Sequence, residues 1–426
     1  MQIVIEEPYR FIPPYRGRVW SEIFRPLLPY YLRLSHGIVD VKCRGLEQLQ
    51  KSVDEGRGVL LAPNHCRLSD PMTMGWIVRE SRIHLYTMAS WHLFKQEPLF
   101  DRLSAAMMRR LGAFSILREG ADRTALTTAI DILAAAERPL VIFPEGVVSR
   151  ANDRLGPLMD GVAFIARMAA RKAAKTRQSS VIIHPVALRY VFLDDVERAV
   201  DPFLKDLEQR LTWQPGGDRR SIERLRRLGE ALLSLKEIEY VGQAMPGDLH
   251  DRRRNLIESI LRPIEDEWIG KHSDASAIAR VKDIRSAVLP KLIDRNLPAD
   301  ERSRIRRQLA DATLAQQLHF HPEDYLDADS PPERLLETVE RLEEDLTGSI
   351  RVYGRFRVLL DVGEAIEVSP EREKRIDRDA PDALLEQLSE RLRAMLEASG
   401  REVAASRGLT VRRDLVEQPE HVAAGT

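Results

Sequence analysis

Between residues 37 and 192 the chain alternates short apolar runs with longer stretches of helical spacing, and several runs lack the polar residue at every second place that a solvent-facing strand requires. A strand that is apolar throughout is covered on both faces, the condition of a parallel sheet wrapped by helices. Strands are expected over residues 39–42, 59–62, 83–87, 141–143 and 181–188, and helices over 71–79, 99–111, 123–137 and 159–175. The pattern predicts an α/β fold: a mostly parallel sheet flanked by helices.

After residue 192 the pattern changes. Residues 193–348 are rich in Arg, Glu and Leu, and helical spacing dominates. Leu256, Ile257, Ile260, Leu261 and Ile264 form one apolar stripe, with Pro263 as an expected kink; Val281, Ile284, Val288, Leu289 and Leu292 form another. Pro331-Pro332-Glu333 starts a helix that Gly348 closes. His319 and His321 have no carboxylate or thiol at metal-ligand spacing and read as a loop, so no metal is expected.

Strand character returns at Phe356, Val358, Leu360 and Val362, alternating with Arg357, Leu359 and Asp361, and reads as a half-covered edge strand. One strand needs a sheet, so it is expected to rejoin the N-terminal one, which makes the helical stretch an insertion before the last strand. The expected organisation is residues 1–36 as an amphipathic segment, 37–192 plus 349–407 as the α/β domain, 193–348 as an all-helical insertion and 408–426 as a flexible tail.

The 65 Lys+Arg against 66 Asp+Glu leave the charge near zero, which argues against nucleic acid as a partner. Cys43 and Cys66 are the two cysteines and no cleavable secretory signal opens the chain, so a reducing, cytoplasmic setting is expected. No apolar run approaches the ~18 residues that cross a bilayer. Residues 9–44 interleave Tyr9, Phe11, Tyr15, Trp20, Phe24, Tyr30 and Tyr31 with arginines, a composition suited to lying peripherally on an anionic lipid surface or to an ordinary helix packed on the core.

The chemistry-bearing segment is Pro63-Asn64-His65-Cys66-Arg67-Leu68-Ser69-Asp70-Pro71, emerging from the run at 58–62. Open α/β sheets hold their sites at the carboxyl ends of strands. His65 and Asp70 would lie about 140° apart on a helix of ~3.6 residues per turn, so the chain must turn between them. Pro71 makes Asp70 a helix start, and a loop returns His65 to it. A carboxylate on one imidazole nitrogen frees the other to act as a base; the alternative is a loop histidine beside a helix cap.

Three more segments follow: Gly112 to Arg118, a strand delivering a guanidinium to its end; Val141 to Arg150, a strand broken at Pro144 that presents Glu145, Gly146, Ser149 and Arg150; and Val181 to Leu188, interrupted by Pro185. Together these resemble the glycerolipid acyltransferase family. Asn64, His65, Asp70 and Pro71 match its first block, and Gly112, Ile116 and Arg118 its second; Phe143 to Gly146 match the third and Val181 to Leu188 the fourth. Gly363 to Ile366 look like its closing strand. Where that family continues its third block with Thr-Arg-Ser, this chain has Val147-Val148-Ser149, losing a hydroxyl and a cation; Arg150 or Arg154 either restores the charge or is a solvated surface arginine.

The resemblance implies an O-acyltransferase acting on a glycerophospholipid precursor such as lysophosphatidate, with acyl-CoA or acyl carrier protein as co-substrate and no other cofactor. It implies His65 and Asp70 as the catalytic pair. Arg118 and the Gly146 backbone would hold the acceptor's phosphate, Glu145 would orient hydroxyls or Arg118 itself, Gly112, Ser149 and Arg150 would belong to the same substrate site, and amides after Asp70 would hold the oxyanion. The 181–188 strand would wall an acyl pocket. A non-phosphorylated acceptor, or a non-catalytic membrane-associated interaction protein, are the competing readings.

Overall fold

The computed structural model describes residues 7–408, except 96–98, 119, 121, 178, 212–216, 218, 295, 322, 328 and 372–381; the expected tail beyond Gly408 lies outside the described residues. Helices α1 (Val19–Phe24) and α2 (Leu28–His36) lead into β1 (Ile38–Arg44), α3 (Leu46–Asp54), β2 (Gly58–Pro63) and α4 (Asp70–Ser81). Then come β3 (Tyr86–Ser90), α5 (Leu99–Arg110), β4 (Ala113–Ile116), α6 (Arg123–Ala134), β5 (Leu140–Val141), α7 (Asp160–Thr176) and β6 (Val181–Phe192). Five helices follow: α8 (Val196–Leu211), α9 (Ser221–Val241), α10 (Leu249–Trp268), α11 (Ala277–Leu292) and α12 (Ala299–His319). The described chain closes with α13 (Pro332–Thr347), β7 (Phe356–Val362), β8 (Ile366–Val368) and α14 (Ala383–Ser406).

The strands form one eight-stranded sheet in the order β1-β7-β6-β2-β5-β3-β4, with β8 also on β6. From β6 to β4 every pairing is parallel, whereas β7 runs antiparallel to β6 and parallel to β1. The unalternated apolar runs have the predicted cause. Val59 and Leu61 of β2 enter a core with α2, α3, α4, α8 and α13, while Leu60 and Ala62 enter a second core with α6, α7 and α14. The α/β architecture is therefore as expected: a mostly parallel sheet between helical layers.

Two expectations are corrected. The strand at 356–362 is not an edge; it lies between β1 and β6. Its charges alternate because they pair across the sheet: Arg357 donates to Asp40 at 2.6 Å, and Arg44 to Asp361 at 2.7 Å. Nor do the helices of the stretch 193–348, which lies between β6 and β7 as expected, share one core. Val200, Phe203 and Leu204 of α8, Leu225 and Leu228 of α9, and Leu335, Leu336 and Val339 of α13 all belong to the first sheet core. The end of α9 and helices α10 to α12 build a separate core around Leu261, Val281, Ile284, Ile305 and Leu309. We call this second unit the bundle. Both expected stripes, including Pro263 inside α10, fall in it.

At the amino end, Leu28 and Leu32 of α2 are buried against the sheet domain, and Val19, Ile23, Leu27, Tyr30 and Leu34 stay exposed. No helix among the described residues is long and apolar enough to cross a membrane.

Candidate active site

Strand β2 ends at Pro63, and the next two residues enter the loop at the carboxyl edge of the sheet. His65 Nδ1 lies 2.9 Å from Asp70 Oδ2, so the chain turns back between them as the spacing required. Asp70 opens α4, with Pro71 in its first turn, and is wholly buried. A buried carboxylate is costly unless its lone pairs are filled. Here Oδ2 also accepts the Arg67 N–H at 2.8 Å, and Oδ1 accepts the Tyr190 hydroxyl at 2.6 Å. Burial, then Asp70's charge, holds the Tyr190 phenol well above its usual range, so it remains a donor. Ser69 and Thr73 hydroxyls, each 3.1 Å from the phenolic oxygen, fix it from the other side. The His65 ring stacks on Phe143, centroids 4.1 Å apart.

Glu145 joins two loops. Its carboxylate accepts the His65 N–H at 2.7 Å and the Gly156 N–H at 2.8 Å. Burial pushes its pKa up to about 7 against those two amides, and Asp70 adds to the rise. Ser149 returns the tie, its N–H and hydroxyl both donating to the His65 carbonyl at 2.7 and 3.1 Å. These two residues hold His65 by its backbone.

Strand β6 runs well past the end of β2, which leaves its later backbone groups on that side without a strand. Side chains complete the pairing. Asn64 accepts from Leu188 N at 2.7 Å and donates to Leu188 O at 3.1 Å. Asn152 does the same for Tyr190, at 2.7 Å each way. Glu333 accepts from Phe192 N at 2.8 Å. Each replaces a missing backbone partner, and buried peptide groups require one.

Helix α13 presses on these loops with buried charges. Arg67 donates to Glu340 at 2.9 Å, with its guanidinium 4.4 Å from the Phe356 ring centroid. Arg341 donates to the Ser149 and Arg150 carbonyls at 3.0 and 2.9 Å, and Arg150 pairs with Glu344. Glu337 accepts from Tyr325 and from Asn152 N, and burial lifts it to about 8.

A cavity of about 450 Å³ adjoins this edge, lined by Leu68 from the loop between His65 and Asp70, by Val147 and Val148, and by Arg118 and Arg150. Of the residues singled out in the sequence, the structure thus brings His65, Asp70, Glu145, Gly146 and Ser149 together and sets Arg118 and Arg150 on the cavity. Arg154 instead pairs with Asp324. Gly112 stands at the opposite end of β4 from Arg118, with φ +101 and its α-carbon packed where a Cβ would sit 2.6 Å from the Leu85 carbonyl. Its role is backbone packing. The Gly146 amide closes a turn onto Phe143 O at 3.1 Å, and a Cβ there would collide with Met159.

Two other expectations fail for similar reasons. The first amides of α4 are spent inside the turn: Asp70 N on Arg67 O, Met72 N and Thr73 N on Ser69 O, while Pro71 has none. They offer the oxyanion no donor. Strand β6 is buried in the two cores and contributes no residue to the cavity lining. Sequence reasoning missed Tyr190, Asn152 and the contacts of α13, a helix it did expect. Tyr190 lies one alternation beyond the expected strand end, and no local signal marks the other two.

The model of the Acyltransferase family matches residues 40–189, which runs from β1 to β6 and takes in His65, Asp70, Arg118 and Glu145. None of the curated proteins compared with the chain matches it.

Proposed function

We propose, from the premise that residues 40–189 are an acyltransferase-family domain, that the chain moves a fatty acyl group from a thioester of coenzyme A or acyl carrier protein to a hydroxyl of a glycerophospholipid precursor, lysophosphatidate being the leading candidate. The observation that carries the reading is the His65–Asp70 pair, with Asp70 buried and Tyr190 and Arg67 N–H filling its remaining lone pairs. Asp70 keeps the proton on Nδ1, so Nε2 is the basic nitrogen. That nitrogen takes the proton of the acceptor hydroxyl as its oxygen attacks the thioester carbonyl. Collapse of the tetrahedral intermediate breaks the C–S bond, and the leaving thiolate recovers the proton from His65.

The buried Cys66 beside His65 is no rival nucleophile: burial and Asp70 hold its thiol well above the usual range. The exposed row Val19, Ile23, Leu27, Tyr30 and Leu34, with Arg18 and Arg33 also exposed, supports docking on an anionic lipid surface at the cytoplasmic face, where such acceptors reside.

The test is an acceptor screen with purified protein, labelled acyl thioester and lipid vesicles. Wild-type protein acylates a lysophospholipid, and His65→Ala lowers kcat by about three orders of magnitude with the unfolding temperature unchanged. Near-normal transfer by that variant removes His65 from the chemistry. Acylation of neutral acceptors alone replaces the phosphorylated class.

A further inference from the structure

Helix α13 lies outside the residues that match the acyltransferase family, yet one of its faces meets the turn between His65 and Asp70. Glu337, Glu340, Arg341 and Glu344 recur at helical spacing and share that face. Its two middle members, adjacent in sequence, reach His65 by different routes. Arg341 acts through the loop after β5: it donates to the Ser149 and Arg150 carbonyls, and Ser149 in turn holds the His65 carbonyl.

The route from Glu340 runs through Arg67. Both backbone groups of Arg67 close the excursion between His65 and Asp70: its N–H donates to Asp70 Oδ2 at 2.8 Å, and its carbonyl accepts the Asp70 N–H at 3.1 Å. Oδ2 is also the oxygen that meets His65 Nδ1. The backbone of Arg67 therefore sets the atom that orients the imidazole. Its side chain is anchored on α13, where Nη1 donates to Glu340 Oε1 at 2.9 Å and Nη2 lies 2.9 Å from Oε2. The Phe356 ring covers the guanidinium. Both ends of the pair are buried, with 11 % of the Arg67 side chain and 4 % of the Glu340 side chain exposed. For stability alone, apolar residues of similar size would serve such a site as well as an ion pair. What a planar fork on a carboxylate adds is one geometry. That geometry is passed along the Arg67 backbone to Asp70, where a displacement of ~1 Å costs a proton-transfer site up to ~10²-fold in rate.

We propose that Glu340 is a positioning residue for the acyl transfer, fixing Asp70 Oδ2 against His65 through the side chain and backbone of Arg67. The inference rests on the acyl-transfer reading above, which makes His65 the base. The matched segment then carries the reacting pair without being sufficient to aim it, and a helix that follows the bundle in sequence completes the site.

The test uses the full chain and two readouts. In acyl-transfer assays Glu340→Gln lowers kcat ~10- to 100-fold at unchanged KM, the signature of a displaced base rather than a lost substrate contact. With ring-nitrogen-labelled histidine, NMR reads the His65 Nδ1–H resonance, assigned by its loss in His65→Ala, and Glu340→Gln shifts it with no substrate present. Glu343→Gln, an equally buried α13 carboxylate that holds Arg351, leaves both readouts at wild-type values. Arg67→Met combined with Glu340→Leu strands no charge and keeps the unfolding temperature near wild type, yet it stays as slow as Glu340→Gln. Wild-type kcat in either the folded Glu340→Gln protein or the double variant overturns the positioning role, as does a rise in KM at constant kcat. The two readouts also separate this role from the reaction itself. No transfer by wild type, with a His65 resonance that still depends on Glu340, sinks the reaction and keeps the positioning; equal transfer by wild type and Glu340→Gln does the reverse.

Discussion

The sheet domain and the bundle are held together by different physics. The bundle closes on aliphatic side chains such as Leu261, Ile284 and Ile305, with its buried arginine, Arg280, clamped between Glu258 and Glu265. The carboxyl edge of the sheet closes on buried polar groups: Asp70 on Tyr190, Glu145 on two amides, two asparagines on β6 and α13 on the loops. Apolar packing is tolerant of shape, whereas each buried hydrogen bond admits one geometry. The region that holds the His65–Asp70 pair uses the second kind, and the bundle uses the first.

Substitutions on the two sides break the comparison in different observables. Asp70→Asn is the largest: it keeps the volume but leaves His65 without its anionic partner, and kcat falls by about two to four orders of magnitude in single-turnover assays. Leu261→Ala in the bundle core has the opposite profile. It destabilises by ~2–5 kcal/mol in denaturant unfolding, while kcat per folded molecule stays near wild type. Proportional loss of kcat in the folded fraction would mean that the bundle's packing reaches His65.

Tyr190→Phe comes next, removing one donor from a buried carboxylate at a cost of ~1–3 kcal/mol. The smallest effect is that of Glu145→Gln. With its folded pKa raised to about 7 by burial, wild-type Glu145 takes up a proton on folding between pH ~4.5 and ~7. Its stability contribution is complete below that window and is lost as pH rises through it. The glutamine variant, with one acceptor oxygen for two amides, loses one of the two bonds at every pH and flattens the slope in that window by about 1 kcal/mol per pH unit or less. An unchanged slope would assign the pH dependence to other groups.

Much of the sheet was legible because burial on both faces writes itself into sequence as unbroken apolar runs, and the return of His65 to Asp70 followed from spacing and Pro71. The remainder depends on registers that no local pattern encodes. Tyr190 reaches Asp70 only because β6 pairs with β2 in a register that sets Leu61 beside His184. The alternation in β7 suggested water where there was a cross-strand ion pair, since a charge looks the same in sequence whether solvent or Arg44 meets it. Helix α13 was legible as a helix but its surroundings were not, and its glutamates and arginines are buried against the loops they fix.

The asparagines at 64 and 152 also bear on the strand edge that β6 leaves open beyond β2. A strand whose edge is left open is a template for any other chain that passes by. By capping β6 beyond β2, Asn64 denies that edge to a neighbour, and it is the residue immediately before His65. Loosening of the loop that carries His65 would therefore also uncover an adhesive strand edge.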